Sequence, residues 1–213
     1  MSRGLLDITL ALGPDTPTWE NSPGVRRYLA KSTDQGDASN DSVLELDCHA
    51  GTHVDAPFHV LPQGRGAESL DLDALCGPAS LRDLRGVRAV GAADLSGLDL
   101  PRDCTRLLLR TDNTRDDLYS RPFTRDFCGL DESGAAWCVE RGLALLGVDY
   151  LSVARYEEGG PVHHALLAAG TILLEGLDLS DAPEGEHELY CLPLKLVGAD
   201  GAPARCLLRL GAE

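Results

Sequence analysis

Four side chains able to bind a cation or move a proton, His49, His53, Asp55 and His59, fall within the eleven residues 49–59. Imidazole nitrogens and carboxylate oxygens are the donors that Zn²⁺, Mn²⁺ and Fe²⁺ accept. A set of two histidines and one carboxylate leaves coordination positions open for water and substrate. Open positions imply catalysis. A cation held there would polarise a carbonyl and lower the pKa of a water it binds. A neighbouring histidine, whose free imidazole titrates near 6.5, could take that water's proton and return it to a leaving nitrogen. No G-x-S-x-G elbow competes for the role of nucleophile. Cys48 adjoins the cluster, but a metal-free cysteine mechanism would leave Asp55 unused. Gly-rich phosphate and dinucleotide fingerprints are absent.

An extended backbone over 49–55 places His49, His53 and Asp55 on one face by the period-two rule. A helix would also align His49 with His53, but Gly51, the β-branched Thr52 and Val54, and Pro57 weigh against it. The spacing therefore predicts an extended segment with a tight bend at Gly51. Alternation and apolar runs predict strands over 5–12, 42–46, 80–90, 105–110, 147–153, 171–175, 189–197 and 205–210. Helices are predicted over 135–146, with Trp137, Leu143 and Leu146 on one face, and over 161–169. Strands dominate but helices are interleaved, so the class is α/β or α+β. No internal repeat and no linker divides residues 1–213, which read as one domain.

Composition narrows the partners. Formal charge is −15, from 34 acidic against 19 basic residues, a field that repels phosphate backbones and anionic membranes. Acidity of this size also maintains solubility; the expected partner is a small molecule, not nucleic acid or membrane. No apolar run approaches the roughly 18 residues that span a bilayer, and residues 1–7 lack a secretory apolar core. The expected location is cytoplasmic. Seven cysteines, at 48, 76, 104, 128, 138, 191 and 206, form no C-x-x-C pair and read as reduced, mostly packed thiols.

The pattern H-x-G-T-H-x-D-x-P-x-H over 49–59 resembles the kynurenine formamidase/cyclase family at every specified position. Further stretches share the resemblance: Trp19 in a Pro-rich loop, 147–153, 163–179, 192–196 and 203–209. The resemblance implies a swivelling β/β/α-type fold and a homodimer or higher homo-oligomer. It implies that His49, His53 and Asp55 hold a first metal. Asp55 and Glu175 would bridge to a second, which His163 would also bind. The adjacent His164 is the alternative ligand. The family register, twelve residues before Glu175, favours His163. By the same resemblance His59 is the proton donor and acceptor, and Trp19 contacts substrate.

The implied activity is metal-dependent hydrolysis of an amide C–N bond, foremost in an N-formyl arylamine such as N-formylkynurenine. Zinc, two per chain, is expected first and manganese second. After Ser152 the sequence departs from kynurenine formamidases, which tend to show Ser-x-Asp-Pro there, and looks more like the broader cyclase group that includes isatin hydrolases. Arg155 in this stretch could pair with a substrate carboxylate. A cyclic-amide hydrolase, a cyclase or dehydratase of secondary metabolism, and a non-catalytic metal-binding protein are the alternatives.

Overall fold

The computed structural model describes residues 4–211. In chain order the strands are β1 (Leu5–Asp7), β2 (Val25–Lys31), β3 (Asp41–Leu46), β4 (His53–Asp55), β5 (Cys76–Asp83), β6 (Arg106–Arg110), β7 (Leu145–Val148), β8 (Ile172–Glu175), β9 (Gly185–Pro193) and β10 (Gly201–Leu210). The α-helices are α1 (Leu72–Leu75), α2 (Ala92–Ser96), α3 (Asp112–Arg115), α4 (Glu132–Arg141) and α5 (Gly159–Ala168).

Strands β5, β6, β7 and β8 run parallel, and antiparallel β4, β10 and β9 complete the sheet in the order β10-β4-β8-β7-β6-β5-β9. Because β9 pairs with β5 on one edge and with β10 on the other, the sheet closes into a strand barrel. β1 pairs the far half of β10, Leu6 opposite Leu208. The class is thus mixed, strand-rich α/β, as expected.

The leucine runs explain why the parallel strands sit centrally. Leu108, Leu145 and Leu174 point into the barrel core, while Leu107, Leu109, Leu146 and Leu173 join a second core under the helices, with Leu130, Cys138, Val162 and Leu166. Strands buried on both faces need apolar residues at consecutive positions. Four cysteines, Cys128, Cys138, Cys191 and Cys206, are buried and all seven are free thiols.

Several boundaries differ from expectation, each for a local reason. The helix predicted to reach 146 stops at Arg141, because Gly142 takes the left-handed conformation (φ +72°) and caps it. Leu145 and Leu146 then belong to β7, not to a helical face. The strand predicted over 5–12 ends at Asp7, that over 80–90 lies at 76–83, and that over 147–153 lies at 145–148. Beyond Asp83 the chain turns, its carboxylate accepting from the Arg85 backbone N–H. Among the described residues no helix is long and apolar enough to cross a membrane.

Candidate metal centre

The site is built on β4 and β8, adjacent antiparallel strands that place His53 directly opposite Glu175. Val54 and Leu174 fill the barrel core, so the alternation turns His53, Asp55 and Glu175 to the outer face, beneath α5. From α5, His163 brings its Nε2 to 3.2 Å from Glu175 Oε1 and 3.7 Å from Asp55 Oδ2. His163 is buried and His164 is exposed. The helix turn therefore settles which of the two faces the carboxylates.

His49 arrives differently from its predicted place on an extended strand. Residues 48–52 form turns and bends, with Gly51 at φ +62° and the His49 backbone N–H donating to Asp47 Oδ1 at 2.9 Å. The chain reverses at Gly51, and His49 Nδ1 then sits 2.8 Å from Asp55 Oδ1. The bend was expected; the extended conformation around His49 was not found. Glycine is also required at 176 (φ +71°), where a Cβ would collide with the Gly51 carbonyl as β8 leaves the sheet beside the histidine loop. Thr52 Oγ1 fastens the two segments by donating to the Gly176 carbonyl.

Two buried atoms test whether a cation fits. His53 Nε2 lies 3.2 Å from Glu175 Oε2 and 3.5 Å from Asp55 Oδ1, yet it makes a hydrogen bond with neither, and Asp55 Oδ2 is likewise unpartnered. Buried polar atoms left this way are costly. Ligand atoms of His53, Asp55 and Glu175 lie within 4.8 Å of one another, as do those of His49, Asp55 and His59. The donor set is the N/O type that Zn²⁺ and Mn²⁺ accept. Asp55 belongs to both groups, so one carboxylate can serve two cations.

Electrostatics point the same way. Burial pushes the His53 imidazole toward neutrality, but the Asp55 and Glu175 carboxylates overcome it and hold its pKa at about 10. Burial opposes, and Glu175 and Asp55 impose, a rise to about 9 at His163. His49 is raised as well, its burial outweighed by Asp55. Burial favours a neutral Asp55, yet His49 and His53 hold its carboxyl well below the usual range. Glu175 is lowered despite burial and the nearby Asp55, by His163 and His53. Protons occupy the space where a cation's charge would stand.

A cavity of about 500 Å³ opens over these groups, lined by His49, His53, His59, His163 and Glu175 at its polar end and by Trp19, Tyr156, Val60 and Leu151 on its walls. His59 ends the short 3₁₀ turn Pro57–His59 that follows β4, its ring centroid 4.3 Å from that of His49. Trp19 is stacked on Tyr156 at 5.5 Å and 19°, and meets Phe123 edge-on at 4.9 Å. Sequence reasoning missed Tyr156, which comes from the stretch after Ser152. Arg155, considered there for a substrate carboxylate, instead pairs with Glu158 at 3.2 Å and does not line the cavity. Also missed were the Val153 N–H, which donates to Glu175 Oε1 at 2.7 Å, and Asp200, 3.1 Å from His49 Nε2.

The Cyclase family model matches residues 6–155. The chain belongs to the cyclase family. Cyclase-like protein 3 of Arabidopsis thaliana is 40% identical over 97% of this chain and 79% of its own length. The kynurenine formamidase of Salinibacter ruber is 34% identical over 96% of this chain and 97% of its own. A solved structure described as a potential metal-dependent hydrolase with cyclase activity superposes with a TM-score of 0.83 at 34% identity, covering 96% of both chains. Isatin hydrolase A from Labrenzia aggregata shares the fold, with a TM-score of 0.80 at 22% identity over 96% and 93% of the two chains.

Proposed function

We propose that this member of the cyclase family is a metal-dependent amidohydrolase that cleaves the C–N bond of an N-formyl arylamine. The observation that carries this reading is the convergence of His53 Nε2 and Asp55 Oδ2, buried and without hydrogen-bond partners, beside Glu175 and His163. Kinship with a kynurenine formamidase across nearly the whole chain supports the reaction class. In this reading His49, His53 and Asp55 hold one metal, and Asp55, His163 and Glu175 a second. Zinc is the first choice and manganese the second.

When bound, the metal supplies Lewis acidity and lowers the pKa of a coordinated water. The chain's own groups do the rest. His59, partly exposed at the polar end of the cavity, takes a proton from the attacking water and returns it to the leaving arylamine nitrogen, which departs poorly without it. Trp19 and Tyr156 offer flat apolar surface against which an aryl ring packs. The stretch after Ser152 departs from the Ser-x-Asp-Pro that kynurenine formamidases tend to show, and this favours a cyclic amide of the isatin kind as the second reading. A homo-oligomer belongs to the same proposal, supported by the ribbon of β2 and β3. Tyr28, Leu29 and Leu44 are exposed on it, and a two-stranded ribbon is marginal without cover.

The test is metal content by plasma mass spectrometry on protein purified without chelator, together with N-formylkynurenine hydrolysis before and after EDTA. Bound Zn²⁺ or Mn²⁺ with EDTA-sensitive turnover is the expected result. Metal without turnover moves the substrate to cyclic amides. Protein that neither carries nor regains either ion sinks the proposal.

A further inference from the structure

Each of the three buried or half-buried histidines at the centre uses one ring nitrogen toward the carboxylates and the other toward a tether. For His53 the tether is the Gly51 carbonyl, 3.0 Å from Nδ1. For His163 it is the Gly159 carbonyl, 2.7 Å from Nδ1. His49 is turned the other way round. Its Nδ1 faces Asp55, and its Nε2 meets a side chain, Asp200 Oδ2, at 3.1 Å. The same oxygen lies 3.7 Å from His59 Nδ1. We infer that Asp200 is a positioning residue that orients both His49 and His59 for catalysis.

Position 200 is fixed by the barrel, not by its own side chain. The Asp200 carbonyl accepts from the Ala56 N–H at 2.8 Å, and Gly201 pairs with Asp55 in the β10–β4 register. Gly201 leaves space for the His49 ring, since a Cβ there would lie 2.8 Å from Cε1. The two residues thus form a seat. Gly201 lets the imidazole lie against the strand, and the Asp200 carboxylate accepts a hydrogen bond from the Nε2–H. With that proton fixed, the lone pair of Nδ1 is left for a cation beside Asp55. The carboxylate also faces Nδ1 of His59 at 3.7 Å, on a ring that stands at the polar end of the cavity beside that of His49. Asp200 side-chain exposure is 44%, so the carboxylate serves these two rings and not the packing of the core.

The metal arm of this inference needs only a bound cation; the His59 arm rests on the proposed function. The experiment compares wild type with D200A and D200N, stripped by chelator and titrated with Zn²⁺ and with Mn²⁺ against a chromophoric competitor. D200A should bind about 10- to 100-fold more weakly, with D200N between it and wild type because the amide keeps an acceptor but loses the charge. At saturating metal, D200A should lose kcat on whichever amide the wild type turns over while KM stays within about twofold. Circular dichroism and the thermal midpoint should match wild type; should D200A fold poorly, D200N alone decides. Affinities and kcat of both variants within about twofold of wild type would overturn the role of Asp200. A wild type that binds neither ion would overturn the metal reading, and this inference with it.

Discussion

At residue 59 a histidine can be a ligand or a proton carrier, and the two roles leave different traces. Its ligand atoms fall within reach of His49 and Asp55, but its side chain is 32% exposed and lines the cavity. His53 and His163, by contrast, have side chains 1% and 10% exposed. We expect His59→Ala to lower kcat about 10²- to 10⁴-fold with metal content unchanged by plasma mass spectrometry; loss of metal would make it a ligand instead. Glu175→Gln removes an anionic donor while keeping its size. The expected outcome is a fall from about two metals per chain to about one, read by the same method, with the Asp55 and His49 side of the site still loaded.

Elements matter through where they end. Gly176 takes a left-handed conformation at the end of β8 with the Gly51 carbonyl where a side chain would go. Gly176→Ala should therefore cost about 2–5 kcal/mol by urea denaturation, since the clash is with backbone that cannot swing aside. Much of this arrangement was legible in the sequence. Alternation alone puts His53 and Asp55 on one face, and the twelve-residue spacing from His163 to Glu175 matches a helix followed by a strand. His49 was legible as a donor but not in its path, because a turn at Gly51 brings it to Asp55 by a route that periodicity does not describe. Leu146 fits a helical face as well as it fits strand β7, and only the left-handed Gly142 decides between them. Asp200 and Tyr156 were not legible. They reach the site through the pairing of β10 with β4 and through the turn before α5, placements set by topology and not by local pattern.

Across the whole molecule the buried cluster ties stability to pH. His53 and His163 hold their protons more tightly folded than unfolded, at about 10 and about 9. Their contribution is complete below about pH 6.5 and is lost as pH rises through those two values. Asp55 and Glu175 are lowered, so theirs is present above the usual carboxylate range and lost as pH falls through it. Chelator-treated protein should have its highest thermal midpoint in weakly acidic to neutral buffer and a falling one toward pH 10. Added Zn²⁺ should flatten the alkaline side, because ligation wants the imidazoles neutral. Calorimetry at pH 7 in buffers of different ionisation enthalpy should show about two protons released per chain on metal loading. The closing strand has a further consequence, for the order in which the protein is made. β10 is the last of the ten strands among the described residues, and both edges it fills, those of β4 and β9, stay open until it arrives. A nascent chain that has emerged only as far as β9 already carries His49, His53, His163 and Glu175 but lacks the seat at Asp200 and Gly201. Metal capture at that stage would engage a His49 ring with no tether, so the finished centre waits on the pairing of β10.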